Sequence, residues 1–235
     1  MCKLSEMWES IALYLIVIFF PILAIYIGYL IVTKAFTEMG FSSLEAVIIV
    51  FLSFLLGFGF LNIYGIEFHA LPLFSYGNWN VKINTGGAII PLLLSLYLMI
   101  KHKLSVKKIV LGILAVAITT YLVTYPDPQK GIVAQFPYWL LPVFIASLSS
   151  LLLLWKQKHS SAPYAYIAGT LGVLIGADVF HLISLLTMGI SEPTPAIIGG
   201  AVVFDMVFIT GILAVVFDSF FIIQDKVAKH PQKTS

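Results

Sequence analysis

Residues 163–188 read PYAYIAGTLGVLIGADVFHLISLLTM, and this stretch decides the architecture. It exceeds the roughly 20 mostly apolar residues that a bilayer core requires, yet Asp178 and His181 stand inside it and it holds no Lys or Arg. Ala165, Gly169, Gly172 and Gly176 recur at spacings of four, three and four, a small-residue stripe along which another helix can approach closely. At about 100° per residue, Asp178 and His181 fall roughly on the opposite side. Such a helix is expected to touch protein on both faces and to sit centrally in a bundle. Its glycines read as packing residues and not as a phosphate loop, because no strand precedes them.

The rest of the chain repeats this character. Its 235 residues are 60% hydrophobic and 10% charged, with a mean hydropathy of +1.02, whereas a soluble domain carries roughly 25% charged residues. A soluble catalytic domain is therefore excluded. Seven apolar stretches stand out, at 11–33, 44–64, 87–100, 109–125, 138–155, 163–188 and 197–223. The expected fold class is all-α, a polytopic transmembrane bundle of about seven spans. Residues 1–225 form its single domain and 226–235 a short tail. The first stretch is longer than a signal-peptide core and lacks a small-residue cleavage site, so it reads as a retained span. The third follows Lys82-Ile83-Asn84-Thr85-Gly86-Gly87 and contains Pro91, so it is expected to begin as a broken or re-entrant segment, tolerated where backbone lines protein or water. Phe68, Phe74, Tyr76 and Trp79, in the connection 65–86, suit a headgroup position.

Charge gives orientation. Lys34, Lys101, Lys103, Lys107, Lys108, Lys156, Lys158, Lys226, Lys229 and Lys233 gather on one set of alternate connections, against Lys3, Lys82 and Lys130 on the other. Lysine excess marks the cytoplasmic side, which puts the amino terminus outside the plasma membrane and the carboxyl terminus in the cytoplasm. The lipid bilayer is the partner that composition names. Scattered lysines without a basic face exclude nucleic acid. Cys2, the one cysteine, excludes an intramolecular disulfide and a cysteine zinc site.

Internal similarity suggests a plan. Leu55-Leu56-Gly57 in the second span matches Leu174-Ile175-Gly176 in the sixth, with Asn62 and His181 at matching distances beyond. Gly86-Gly87-Ala88-Ile89-Ile90 matches Gly199-Gly200-Ala201-Val202-Val203, and Phe20-Pro21 loosely matches Leu141-Pro142. Two parallel three-helix repeats joined by the fourth helix (3+1+3) follow, an arrangement that sugar carriers of the SWEET type also use.

Asp178 and Asp205 are the main candidates for chemistry. Intramembrane carboxylates are costly and usually face the bundle interior. At about 1.5 Å per residue they lie roughly 15 and 12 Å below the outer surface, on consecutive antiparallel helices. His181, one turn from Asp178, is placed to hydrogen-bond to it or to share its proton. With no cation in either helix, at least one of the two carboxyls is expected to hold a proton at neutral pH. The competing reading is that each Asp bonds a neighbouring hydroxyl or carbonyl as interhelical glue. Asn84, Thr85, Gly86 and Gly87 open the third span, where free amides and the helix dipole suit an anion; a plain helix cap accounts for them equally well. Asn62, Glu67 and His69 are candidates for the same outer vestibule. A metal held by Asp178, His181 and Asp205 has too few ligands to rank with these readings, and no cofactor is expected.

Three blocks carry a resemblance. They are Leu71-Pro72-Leu73-Phe74 with Ile83-Asn84-Thr85-Gly86-Gly87-Ala88-Ile89-Ile90-Pro91, then Ala165 to Gly172 with Gly176-Ala177-Asp178-Val179-Phe180-His181, and Ile198-Gly199-Gly200-Ala201 with Phe204-Asp205 and Thr210-Gly211-Ile212. Over about Leu55 to Phe217 the chain resembles an uncharacterised archaeal and bacterial multi-pass membrane family catalogued as domain of unknown function 1614. The resemblance implies a membrane protein and no particular activity. The family's Gly-Thr-Phe-Asp-Gly pattern reads Val202-Val203-Phe204-Asp205-Met206 here, without the flexible glycine beside the Asp. Three functions follow as expectations: a carrier of a small solute or ion coupled to protons through Asp178, Asp205 and His181; an intramembrane aspartyl protease with Asp178 and Asp205 catalytic; or a non-catalytic membrane partner. Gly176-Ala177-Asp178 and Phe204-Asp205 weakly resemble the motifs of presenilin-like enzymes, in reversed chain order, with Ala177 in place of a glycine and no Pro-Ala-Leu motif.

Overall fold

The computed structural model describes residues 2–200 and 205–229. Of the residues used above, Ala201, Val202, Val203, Phe204 and Lys233 lie outside them. Each of the seven apolar stretches contributes a helix. In chain order these are α1 (Cys2–Glu38), α2 (Ser43–Gly57), α3 (Ile90–Lys101), α4 (Val106–Val123), α5 (Leu141–Leu153), α6 (Ser161–Val173) with its continuation α7 (Phe180–Leu186), and α8 (Met206–Lys229). By length and composition, Val17–Glu38, Val106–Val123 and the continuous rod Lys158–Leu186 can cross a membrane. Ser43–Gly57, Thr85–Lys101, Tyr138–Leu153 and Met206–Ile222 are shorter apolar helices.

The all-α expectation needs correction, because three of the connections fold as small sheets. β1 (Asn62–Ile63) and β2 (Ile66–Glu67) form a hairpin whose turn, Tyr64-Gly65, has positive φ at both positions (53° and 83°). That is the backbone twist that suits a two-residue hairpin. The second apolar stretch therefore leaves the helix at Gly57, seven residues before the expected boundary of 64. β3 (Leu71–Tyr76) and β4 (Trp79–Ile83) pair antiparallel, and β4 pairs parallel with β7 (Thr194–Ile198). The start of the expected seventh span, 197–198, is thus strand. β5 (Thr124–Asp127) and β6 (Gly131–Ala134) make the third sheet. Their turn is fixed by Asp127, whose Oδ1 accepts from the amides of Gln129 (2.8 Å) and Lys130 (3.0 Å). Those amides hold its carboxyl below the ordinary carboxylate value.

Trp79 does not lie at a headgroup surface. It is buried in a cluster with Val81, Leu185 and Ala196, and its Nε1 donates to the Met188 carbonyl at 3.1 Å. Alternation within Trp79-Asn80-Val81-Lys82-Ile83 points Trp79 and Val81 to the same face, and that face covers the end of α7.

α6 is the centre, as its sequence requires. Every residue from Ser161 to Val173 except Leu171 is buried, and α3, α4, α5 and α8 pack around it. Small residues set the spacing. A Cβ at Gly172 would lie 2.5 Å from the Val116 side chain, and one at Gly176 would strike the Ala117 carbonyl. On another side, a Cβ at Gly211 of α8 would strike the Thr170 hydroxyl. By contrast α1 is largely bare from Val17 to Leu30, and Phe20, Ile25, Ile100 and Leu122 are each more than two-thirds exposed. An apolar exterior around a buried, hydroxyl-bearing centre suits lipid as the surrounding solvent.

The helices alternate so that the short connections collect at one end and the sheets at the other. Lys101 donates to the Gly40 carbonyl (3.0 Å), His102 Nε2 lies 3.3 Å from the Met39 carbonyl, and the Tyr164 hydroxyl donates to Lys108 O (2.8 Å). At the far end Asn78 Nδ2 donates to the Ile190 carbonyl (3.0 Å), beside the β4–β7 pairing.

Candidate functional site

The rod that begins at Lys158 does not keep α-helical winding throughout. Leu174–Val179 is a π-helical turn, a winding that often marks functional positions, and it lies where Gly176 presses on the backbone of α4. Asp178 is within this turn. Its Oδ2 accepts a hydrogen bond from the Gly199 amide at 3.0 Å, so the loop after β7 is tied to the carboxylate. Gly199 has φ +70°, and a Cβ there would fall 2.7–2.8 Å from Gly87 and Ala88. Glycine is thus required both for the turn and for the close approach of the two pre-helix loops.

Asp205 stands at the start of α8, where its Oδ1 accepts from the Val207 amide at 2.9 Å and its carbonyl accepts from Ile209. This is an N-cap arrangement. Asp178 and Asp205 interact electrostatically and line one cavity of about 430 Å3. Trp79, Gln129, Lys130 and Thr194 complete its polar wall, with Leu182, Leu185 and Ile198 among its apolar residues. Two carboxylates and one lysine from three separate segments of the chain therefore face the same space.

His181 goes elsewhere. Its Nε2 lies 3.2 Å from the Tyr121 carbonyl, and its ring stacks on Tyr121 with centroids 4.5 Å apart. The expectation that it pairs with Asp178 rested on regular α-helical spacing, which the π-helical turn alters between them. The imidazole is buried at the end of α4 and does not line the cavity. Asp178, His181 and Asp205 thus do not converge as a metal site.

The Asn84 group is also distinct from the cavity. Asn84 Nδ2 donates to the Gly57 and His69 carbonyls (2.9 Å each), Oδ1 accepts from the Gly87 amide (2.8 Å), and its own amide donates to Ile198 O (2.9 Å). Both donors of the side-chain amide are consumed. Of the two readings offered by the sequence, the cap accounts for this geometry, and the Gly87 amide that an anion would need is already taken. Thr85 begins a second π-helical turn, Thr85–Ile89. Gly86 is pressed so closely on α2 that a Cβ would strike the Ser53 carbonyl. The third helix therefore starts irregularly, as its sequence suggests. Asn62 and Glu67 are exposed on the β1–β2 hairpin, and neither lines the cavity.

Sequence reasoning missed Lys130, Gln129, Thr194 and the Gly199 amide. Pro126-Asp127-Pro128-Gln129-Lys130-Gly131 is dense in turn-forming residues and signals a tight hairpin. Nothing in it indicates that the hairpin roofs a carboxylate pair.

No curated protein and no solved structure matches this chain. A family model, "Protein of unknown function (DUF1614)", matches residues 58–217, which include β4, β7, both π-helical turns, Asp178, Asp205 and Lys130. The chain belongs to that family.

Proposed function

We propose that this protein is a seven-span carrier, with its sheets outside and its short connections in the cytoplasm, that moves a small polar solute in exchange or symport with protons. The observation that carries the reading is the shared cavity of Asp178 and Asp205. Its volume falls in the range of roughly 300–1,000 Å3 typical of small-molecule pockets. The two carboxylates of this cavity can take up and release a proton as the solute enters or leaves, and Lys130 supplies a positive group in the same lining. A cationic or zwitterionic solute fits this charge pattern. Two π-helical turns, at Thr85–Ile89 and Leu174–Val179, give these helices the irregular winding that often marks functional positions. The parallel pairing of β4 with β7, each leading toward a helix, supports the repeat plan, and Lys34, Lys101, Lys103 and Lys108 at the short-connection end support the orientation.

Proteoliposomes loaded with a pH-sensitive dye test this, using amino acids, dipeptides and polyamines as probes. Wild type is expected to acidify or alkalinise the lumen with at least one probe class, and Asp178→Asn and Asp205→Asn to abolish the signal. Two carboxylates lining one cavity also favour a second reading, aspartyl proteolysis, in which one carboxylate activates water and the other protonates the scissile carbonyl. Cleavage of helical membrane peptides by wild type, without probe-driven proton flux, would replace the first reading by the second. If neither activity is found and both Asn variants change only thermal stability, both readings fail.

A further inference from the structure

At the short-connection end of the bundle the seam between α5 and α8 opens into a slot. Deeper along the seam the rings of Phe144 and Phe217 meet, with centroids 5.0 Å apart. Seven residues further along α5 and four further along α8, Leu151, Leu154, Trp155, Phe221 and Ile222 wall a cavity of about 110 Å3. Lys158 is the one charged residue in that lining, and its ammonium stands over the Trp155 ring, 5.5 Å from the centroid. Ser150 and Ser161 complete the lining, but their hydroxyls are engaged within the fold. Ser150 Oγ donates to Ser161 O (2.9 Å) and Ser161 Oγ to Lys158 O (2.7 Å). Both also neighbour buried Asp218, which does not line the slot. The slot therefore has apolar walls and one cationic end.

That polarity is the complement of an amphiphile with a negative head. An ammonium is a compact point charge with three donors, suited to a phosphate, and basic pockets between membrane helices take anionic lipid headgroups. Trp155 is more than half exposed beside it, and tryptophan is enriched at the level of the headgroups. Leu152 and Phe220, also more than half exposed, lie on the same two helices, so the surface around the slot is one that an acyl chain can follow. A free phosphate would meet Lys158 but leave the apolar walls against water, which is unfavourable. A zwitterionic headgroup would bring its own cation toward Lys158 and toward Lys156, exposed two residues earlier.

We infer that the slot between α5 and α8 binds one anionic phospholipid, its phosphate at Lys158 and the start of one acyl chain between Leu151 and Phe221. The inference rests on the membrane reading of the chain and not on the carrier reading of the Asp178–Asp205 cavity.

The test is native mass spectrometry of the purified full chain in detergent, with dioleoylphosphatidylglycerol and dioleoylphosphatidylcholine added in equal amounts. Wild type is expected to retain one phosphatidylglycerol per chain, favoured over phosphatidylcholine about fivefold, the ratio that one lysine near a membrane surface supplies. Lys158→Gln should bring the ratio close to one, whereas Lys156→Gln, off the lining, should keep most of it. Leu151→Trp fills the slot and should lower occupancy by both lipids; if that variant does not fold, the two lysine variants decide. Equal retention of both lipids by wild type overturns the inference. So does an equal loss of preference in Lys156→Gln and Lys158→Gln, which would make the effect one of diffuse surface charge. Displacement of phosphatidylglycerol by inorganic phosphate would assign the site to a free anion, and a dimer that Leu151→Trp dissociates would assign the slot to a second copy of the chain; either result also overturns it.

Discussion

Asn84 caps one π-helical turn and Asp178 stands within the other, and both stand out as site candidates in the sequence, yet their surroundings differ in one physical respect. Asn84 is 2% exposed, and its side-chain amide is spent on three protein partners. Asp178 is partly exposed to a cavity of about 430 Å3 that it shares with a second carboxylate and a lysine. A polar group whose hydrogen bonds are all used within the fold is architecture. One that faces shared empty space with like and opposite charges is available for chemistry. The comparison assigns the two regions different failures on mutation.

The largest effect belongs to the saturated region. Gly86→Ala drives a methyl into the Ser53 carbonyl and the Gly57 backbone, where no flexible side chain can yield, so a loss of about 3 kcal/mol is expected. Differential scanning in detergent checks it, and an unchanged Tm would mean that α2 and the start of α3 are not in contact. Asn84→Ala comes next. It strands the Gly57 and His69 carbonyls and the Gly87 amide, at about 1–3 kcal/mol for a buried group left unpaired. Hydrogen exchange should show the start of α3 opening first. Asp178→Asn keeps an acceptor for the Gly199 amide, so about 1 kcal/mol or less is expected in stability. Its loss should be in flux. His181→Phe retains the stack on Tyr121 and lies off the cavity, so flux should persist. A dead His181→Phe variant that still folds would return His181 to the pathway and blur the comparison.

Much of this was legible in the sequence. Gly169, Gly172, Gly176 and the long apolar run around them identify α6 as a central helix, because small-residue spacing and length survive any tertiary context. The two carboxylates are legible for a similar reason: a charge in an apolar run has few places to point. Strands were not read within 65–86 and 124–134, although Trp79-Asn80-Val81-Lys82-Ile83 alternates and Asp127 to Gly131 has turn chemistry. In an apolar chain the expectation of loops between spans overrode those local patterns. The partner of His181 was not legible at all. It depends on a π-helical turn, and a one-residue change in winding leaves no mark in composition. The pairing of β4 with β7 joins segments more than a hundred residues apart, and no local pattern specifies it.

The smallest expected effect is at the roof of the cavity. Asp127 has its ordinary value of 3.8 lowered, first by the Gln129 amide and then by the Lys130 amide. A carboxylate stabilised in this way contributes at pH above its unfolded value and loses that contribution as pH falls through the lower folded value. The β5–β6 turn should therefore loosen only below about pH 4. Amide exchange at Gln129 and Lys130, corrected for intrinsic rates, should be slow at pH 6 and faster at pH 3. Equal protection at both would mean that the Asp127 turn does not hold the hairpin.

The central claim is that Asp178 and Asp205 serve the cavity beyond the loop and cap bonds they make, bonds that Asn can keep. The most direct test measures Tm and probe-driven proton flux on the same preparations of wild type, Asp178→Asn and Asp205→Asn. The account predicts flux reduced to the protein-free background in both variants, with Tm within a few degrees of wild type. Flux retained in both, with Tm falling as far as in Asn84→Ala, would contradict it and make the pair interhelical glue.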